Sequence, residues 1–423
     1  MSKTGLPPRR AAHYLMDQIF EDGRLLSELI GGGALDHLEP ADRARAQRLT
    51  TDALRGLDRA DRMLKPYLKK APPENVMNAL RLGVIELTGG EAAHGVVNAY
   101  VEITSQNKNT HSFKGMVNAV LRKIAAEGPD AWHKRNVPLM PGWLRQPMVA
   151  AWGRKPMDAM DAAHFAGAPL DLTPKGDPAA LAAAVDGFVL PTGSVRVLNA
   201  GQVSSLAGFE AGEWWVQDVA AAIPVQMLAP TKGMTVLDIC AAPGGKTMQL
   251  AAAGAVVTAV DISKTRMGRV DENLSRVKLK ADLQVADAFD LTGQYDAVLL
   301  DAPCSATGTI RRHPDLPYAK DGTEFADLIA QQEAMIDHSL TLLKPGGKLV
   351  FCTCSLLPDE GEVQVEEALE RHPGLTVDRT ATDRAGIDPD WTTFEGGLRL
   401  RPDYWPEMGG MDGFYIAVLT KPS

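Results

Sequence analysis

Two apolar runs in this chain end in reactive side chains. Leu299-Leu300-Asp301-Ala302-Pro303-Cys304-Ser305 carries a carboxylate and a thiol, and Phe351-Cys352-Thr353-Cys354-Ser355 carries two thiols. A thiolate adds to electron-poor carbon, and an acid beside it can orient a ring or hold a proton. Zinc is the rival for clustered cysteines. Yet no C-x2-C pair exists and the nine histidines show no ligand spacing beside the thiols, so no metal is expected. Cys240 and Cys352, at strand ends with apolar neighbours, suit buried structural thiols. For Cys304 and Cys354, each followed by Ser and placed beside an acid, catalysis is favoured.

A third stretch, Cys240-Ala241-Ala242-Pro243-Gly244-Gly245-Lys246-Thr247, invites comparison with the phosphate loop G-x-x-x-x-G-K-[ST]. Its Gly-Lys-Thr end matches, but Cys240 stands where the leading glycine should make the wide turn. A nucleotide triphosphatase is therefore the weaker reading. A tight turn of small residues before a helix N-terminus suits a carboxylate, as in the amino-acid end of S-adenosylmethionine. Asp261, at the tip of Val256-Val257-Thr258-Ala259-Val260, can accept both ribose hydroxyl hydrogens. Asp287, after Leu283-Gln284-Val285-Ala286, can meet an adenine amino group, or can simply cap a loop.

These residues need strands whose carboxyl ends share one rim. Strands are predicted at Thr235–Ile239, Val256–Val260, Ala297–Leu300, Lys348–Cys352 and Phe414–Leu419. Helices are predicted near Thr247–Ala252, Lys264–Val277, Glu324–Leu343 and Glu360–Glu370. Continuous apolar strands alternating with helices indicate a mostly parallel, doubly wound sheet, with ligands beyond the strand ends. Residues 8 to 127 instead read as all helix. There Leu49, Ala53, Leu57 and Leu64 form an apolar stripe beside Arg43, Arg45, Arg48, Arg55 and Arg59. Between the two regions, residues 128–205 read as a connector and a small α+β subdomain. Its Trp132, Trp143 and Trp152 are expected to bury in a small core rather than stack on bases.

Length and charge bound the answer. At 423 residues, 45% hydrophobic and 23% charged, the chain is a multi-domain globular protein. Four cysteines are too few for a disulfide framework, no apolar run could span a bilayer, and Met1–Gly5 has no apolar signal core, so a cytoplasmic protein is expected. Net charge is −9, but residues 1–140 hold 20 Lys and Arg against 16 Asp and Glu, whereas the remainder holds 24 against 37. A mildly basic front half is compatible with RNA contact, and equally with ordinary solvated helix faces.

Taken together, the motifs resemble the Sun/Fmu-type RNA (cytosine-5) methyltransferases, and within them the bacterial small-subunit ribosomal RNA enzymes with a NusB-like front domain. Asp238 through Lys246, Asp301-Ala302-Pro303-Cys304-Ser305, Arg311-Arg312-His313-Pro314-Asp315 and Thr353-Cys354-Ser355 match the transferase motifs. Ser112-Phe113-Lys114-Gly115-Met116-Val117-Asn118-Ala119-Val120-Leu121 is similar to the NusB-type final helix. The resemblance implies three parts: a NusB-like all-α domain over 1–130 that binds RNA or a partner, a linker and small α+β subdomain over 131–218, and an α/β class I (Rossmann-like) methyltransferase domain over 219–423.

It also implies the chemistry. The expected product is 5-methylcytosine in 16S ribosomal RNA, formed with S-adenosylmethionine through a covalent cysteine–cytosine intermediate by a monomer free of metal. Cys354 would attack carbon 6, Asp301 would hold the base at ring nitrogen 3, and Cys304 would assist loss of the carbon 5 proton and enzyme release. Lys246 would set the charge near them. Residues 240–246, Asp261, Asp287 and Asp301 would line the cofactor, and Arg311 and Arg312 would contact phosphate. In DNA cytosine-5 methyltransferases the attacking thiol lies in a Pro-Cys motif, which here is Pro303-Cys304; the extra Thr353-Cys354-Ser355 and the front domain favour RNA. A second rival is a NusB-like adaptor with an inactive transferase, against which the intact Asp301, Cys304 and Cys354 set speaks. Three departures bear on how RNA is gripped. Leu316-Pro317-Tyr318 replaces a basic residue and Trp, Gly361 replaces an Asn between two acids, and Pro169–Lys175 lacks an Arg-containing strand.

Overall fold

The computed structural model describes residues 5–423; Met1–Thr4, within the stretch read as lacking a signal core, lie outside the described residues. The chain divides into two compact units, Met1–Gly167 with Ile310–Gly322, and Ala168–Thr309 with Thr323–Ser423. The boundary at Gly167 differs from the expected divisions at 130 and 218. The three helices after residue 128, at Pro129–His133, Gly142–Trp152 and Arg154–Ala166, belong to the first unit.

The first unit is helical, as its apolar periodicity dictates. Its long helices are Leu6–Asp22, Pro40–Arg55, Glu74–Thr88, Ala93–Gln106 and Lys114–Glu127. Pro40–Arg55 starts on Pro, holds Asp42 in its first turn and Arg55 in its last, and ends at Gly56, so each terminus carries the charge its dipole favours. Leu15, Met16, Ile19, Leu54, Leu80, Val84, Tyr100 and Leu121 fill the core. Inside it Glu86 takes both Arg9 Nε and Nη2, at 2.7 and 2.8 Å, and the Tyr100 hydroxyl at 2.9 Å.

The basic face read from residues 43–59 is only partly solvated: Arg48 is exposed, Arg43, Arg45 and Arg55 are half-buried, and Arg59 turns inward. Arg59 is buried, its guanidinium 5.0 Å from the Trp132 ring and 4.4 Å from Phe165. Arg45 pairs with Glu86 and Glu91, and Arg55 donates to the Arg311 carbonyl at 3.0 Å. An arginine stem is apolar and its head planar, so a sequence pattern that looks solvated can pack. Trp132 is half-buried and packs on the core of the helical unit rather than in a small core of its own, and Trp143, also half-buried, donates its ring N–H to the Pro317 carbonyl at 3.1 Å.

The second unit holds two sheets. The smaller contains β1 (Leu170–Pro174), β2 (Phe188–Val189), β3 (Val195–Val197) and β4 (Trp214–Val216), in the order β2-β3-β1-β4. The larger contains β5 (Thr235–Ile239), β6 (Val256–Asp261), β7 (Asp282–Val285), β8 (Tyr295–Asp301), β9 (Leu343–Thr353), β10 (Thr376–Val377), β11 (Leu398–Leu400) and β12 (Phe414–Thr420). Its order is β7-β6-β5-β8-β9-β12-β10, with β11 also on β12. Pairs from β7 through β9 are parallel, and β12 is antiparallel to β9. Alternate residues bury on opposite faces: Val236, Leu299 and Val350 on one, Leu237, Leu300 and Phe351 on the other. Burial on both sides explains why the strands read as unbroken apolar runs. The chain reverses direction across the sheet between β5 and β8, and a crevice forms there at the carboxyl ends.

Candidate active site

Register sets the rim. Parallel pairing aligns Val260, Ile239, Leu300 and Phe351 in one row, so the next row holds Asp261, Cys240, Asp301 and Cys352. The loops leaving that row carry every catalytic candidate named from sequence except the arginines. They enclose a cleft of roughly 330 Å³, open to solvent, lined by Cys240, Ala242, Asp261, Asp287, Asp301, Cys304 and Cys354 among others. That size suits a nucleoside-containing ligand.

The cofactor end is built by the turn after β5. Cys240 has φ 61°, and burial together with Asp301 and Asp261 pushes its thiol up to about 12, so it packs as a neutral group. Gly244, at φ 102°, starts the helix Gly245–Ala252 with no side chain capping it, so the first-turn N–H groups have no side-chain partner there. A side chain at Gly244 would press within 3.1 Å of Val270. Asp261 accepts from Ser263 N at 2.8 Å, Arg266 Nη2 at 2.9 Å and Ala242 N at 3.3 Å, fixing its carboxylate at the cleft wall. Asp287 is exposed, caps a short turn through Phe289 N at 3.0 Å, and lies on the cleft wall. Ile262 and Phe289 stay 67% and 44% exposed on the same wall, apolar surface of the kind an adenine ring covers. These residues fit S-adenosylmethionine.

The reactive end is held by longer-range contacts. Lys246, from the helix after β5, donates to Asp301 Oδ2 at 2.8 Å, while Cys352 lies 3.5 Å from the other oxygen. Burial works against the Lys246 charge, yet Asp301 overcomes it and holds the ammonium above its ordinary range. Cys304 Sγ and Cys354 Sγ are 3.5 Å apart. The Cys304 thiol is pushed well up, first by its hydrogen bond to Cys354, then by burial and by charge on Cys354 and Glu360. Behind the cleft, Asp238 sits mid-strand in the core, takes the Thr247 hydroxyl at 2.5 Å, and is raised by burial to about 7.

Sequence reasoning missed the residues that bind these loops together. The Glu360 carboxylate accepts from Ser305 N at 2.9 Å and from the Ser305 hydroxyl, and Gln332 Nε2 reaches Glu360 at 3.0 Å and Pro303 O at 2.9 Å. Gly308 N donates to Cys354 O at 2.9 Å and Gly413 N to Gly308 O at 2.8 Å. An Asn at Gly361 has no room: its Cβ alone would lie 2.5 Å from Arg399 Nη2 and 2.7 Å from the Tyr415 ring. That departure is one of packing. The same holds at Leu316-Pro317-Tyr318, where Tyr318 meets Phe20 with centroids 5.4 Å apart.

One expectation is corrected. Arg311 is fully buried, so its guanidinium is not available to phosphate, whereas Arg312 is half-buried. Among the described residues no group of His, Cys, Asp or Glu is arranged to hold a metal, and no helix is long and apolar enough to cross a membrane.

Residues 225–420 match the family described as 16S rRNA methyltransferase RsmB/F, and residues 7–126 match the NusB family. Ribosomal RNA small subunit methyltransferase B of Erwinia tasmaniensis is 32% identical over 442 residues, covering 98% of each chain. The protein of that name from Cronobacter sakazakii is 33% identical over 99% of this chain and 100% of its own. The crystal structure of PH0851 shares the fold, with a TM-score of 0.74 at 21% identity over 99% of this chain and 100% of the other. Likeness on this scale, over both units at once, means that the chain belongs to the 16S rRNA methyltransferase RsmB/F family.

Proposed function

We propose that this chain forms 5-methylcytosine in 16S ribosomal RNA, with Cys354 as the nucleophile. Family membership makes it an S-adenosylmethionine-dependent rRNA methyltransferase; the choice of atom and the covalent route are our reading. The observation that carries it is the pair of thiols 3.5 Å apart on a cleft whose far wall suits an adenosyl group.

Bound in that cleft, S-adenosylmethionine supplies an electrophilic methyl group. Cytosine carbon 5 is too weak a nucleophile to take it unaided. The Cys354 thiolate adds to carbon 6, the ring electrons shift toward carbon 5 and nitrogen 3, and carbon 5 becomes enamine-like. Asp301, salt-bridged to Lys246, faces ring nitrogen 3 and shares with it the proton that this nitrogen takes up as charge develops there, with the Lys246 ammonium offsetting the carboxylate. Carbon 5 takes the methyl group as the methyl–sulfur bond breaks and S-adenosylhomocysteine leaves, and the carbon 5 proton then goes to a base on the Cys304 side. The carbon–sulfur pair then returns to Cys354 and the ring double bond reforms. The base must be unstacked to enter, so an RNA loop or splayed strand is the expected acceptor. The helical front unit is read as the part that binds RNA or a partner, and the protein as a cytoplasmic monomer.

Cys304→Ala and Cys354→Ala variants, incubated with labelled cofactor and RNA from a strain lacking the enzyme, test this. The Cys354 variant should be inert and the Cys304 variant should accumulate a protein–RNA adduct. An adduct confined to the Cys354 variant would reverse the roles.

A further inference from the structure

We propose that Glu360 is a positioning residue that holds the two cysteine loops together and keeps negative charge off Cys304, the thiol beside the nucleophile. This rests on Cys354 being the nucleophile.

Glu360 is fully buried in the turn Pro358–Glu360, six residues beyond Cys354. Its carboxylate is received by Ser305, the residue after Cys304, through both N–H and hydroxyl. Gln332 spans from the same carboxylate to the Pro303 carbonyl, on the other side of Cys304. The Glu360 carbonyl accepts the Thr353 hydroxyl at 2.8 Å, one residue before Cys354. One residue thus grips both cysteine loops and fixes the 3.5 Å between the sulfurs.

The grip is also lopsided in charge. All the donors on the Glu360 side chain just named are neutral, so its negative field is spread rather than cancelled, and two of them belong to Ser305, the residue after Cys304. On the Cys354 loop, Arg399 donates to the Ser355 carbonyl but is paired with Glu362, so it adds little net field. Two thiolates at this distance repel, so at most one can be charged, and a carboxylate held beside one thiol disfavours the charge there. The other charges facing the pair weigh less on which thiol is charged. Asp301 is neutralised by Lys246, Asp261 is paired with Arg266 across the cleft, and Cys352 points at Asp301. The upward push on Cys304 has Glu360 among its causes, behind Cys354 and burial.

The test is site-resolved alkylation of the full-length protein across a pH series, with cofactor binding measured in parallel. Glu360→Gln keeps size but removes charge. It should raise the Cys304-to-Cys354 labelling ratio about tenfold at fixed pH, the effect of one pH unit of acidity. Ser305→Ala loosens the loop but keeps the carboxylate, and should leave the ratio as it is. Glu360→Asp keeps the charge and should hold the ratio even where turnover falls. The proposal is overturned by an unchanged ratio in a Glu360→Gln protein that binds cofactor, by an equal change in Ser305→Ala, or by a shifted ratio in Glu360→Asp. An RNA adduct in Cys354→Ala would sink the nucleophile assignment instead, whatever the Glu360 variants do.

Discussion

The ammonium of Lys246 lies 2.8 Å from Asp301 Oδ2, joining the helix that opens the cofactor turn to the strand that ends at the reactive rim. A cation from the cofactor side therefore sits against the carboxylate assigned to the base. Lys246→Met keeps the apolar stem packed near the Phe414 ring but leaves Asp301 without its partner. The expected result is a loss of roughly 10²- to 10³-fold in methyl transfer, the scale of removing one preorganised electrostatic contact, with cofactor still bound. Single-turnover transfer of labelled methyl would show it; a near-normal rate would mean that Asp301 works without the amine.

The buried Asp238 makes a pH prediction. Its folded value is raised from 3.8 to about 7, so the folded state keeps a proton that the unfolded chain gives up. The stabilisation is full below the unfolded value and is lost as pH rises toward 7, because in that window the native state binds more protons. At about 1.4 kcal/mol per pH unit the span has an upper bound of roughly 4 kcal/mol. Asp238→Asn cannot ionise, so the difference in denaturation midpoint between variant and wild type should widen in the variant's favour from pH 4 to pH 7. A difference that stays flat over that range would refute it.

Gly308 is where two loops touch backbone to backbone. A Cβ there would stand 2.0 Å from Gly413 O, and the Gly308 N–H holds the Cys354 carbonyl. Gly308→Ala must part the loops and move Cys354, and a displacement of about 1 Å can cost 10²-fold in rate. Gly115→Ala, where nothing lies within 4 Å, is the control that should behave as wild type. Comparison of transfer rates at saturating cofactor checks both.

These cases show what a sequence makes legible. Asp261, Asp301 and Cys354 could be read because strand period and apolar runs locate strand ends, and the ends of parallel strands share a rim. Glu360 could not, since Ser305 is 55 positions away and nothing local marks the pairing. The same holds for Ile310–Gly322, which lies in the middle of the transferase motifs yet packs within the helical unit, where Leu26 N meets Asp315 Oδ2 across 289 positions at 2.8 Å. The assignment of Arg311 to phosphate rests on the motif it shares with the family, and nothing in that motif marks that the chain buries its stem and head together.

The small sheet offers the last test. Arg196 on β3 and Asp171 on β1 are both fully buried, joined by two bonds of 2.7 Å, and Arg196 also donates to the carbonyls of Met408 and Gly410. Asp171 in turn accepts Val219 N at 3.0 Å, where the helix leading into β5 begins. The pair therefore ties the small sheet to the large one's first helix and to the loop before β12. Removing one partner leaves the other charge buried and alone, which costs about 3–5 kcal/mol. Arg196→Met should destabilise the protein by that order, and Asp171→Asn with Arg196→Met should recover part of it, because the stranded charge is gone. Denaturant titration of the two variants measures the difference. A double variant no more stable than the single would mean that the carbonyl contacts of Arg196, rather than its charge, hold the region together.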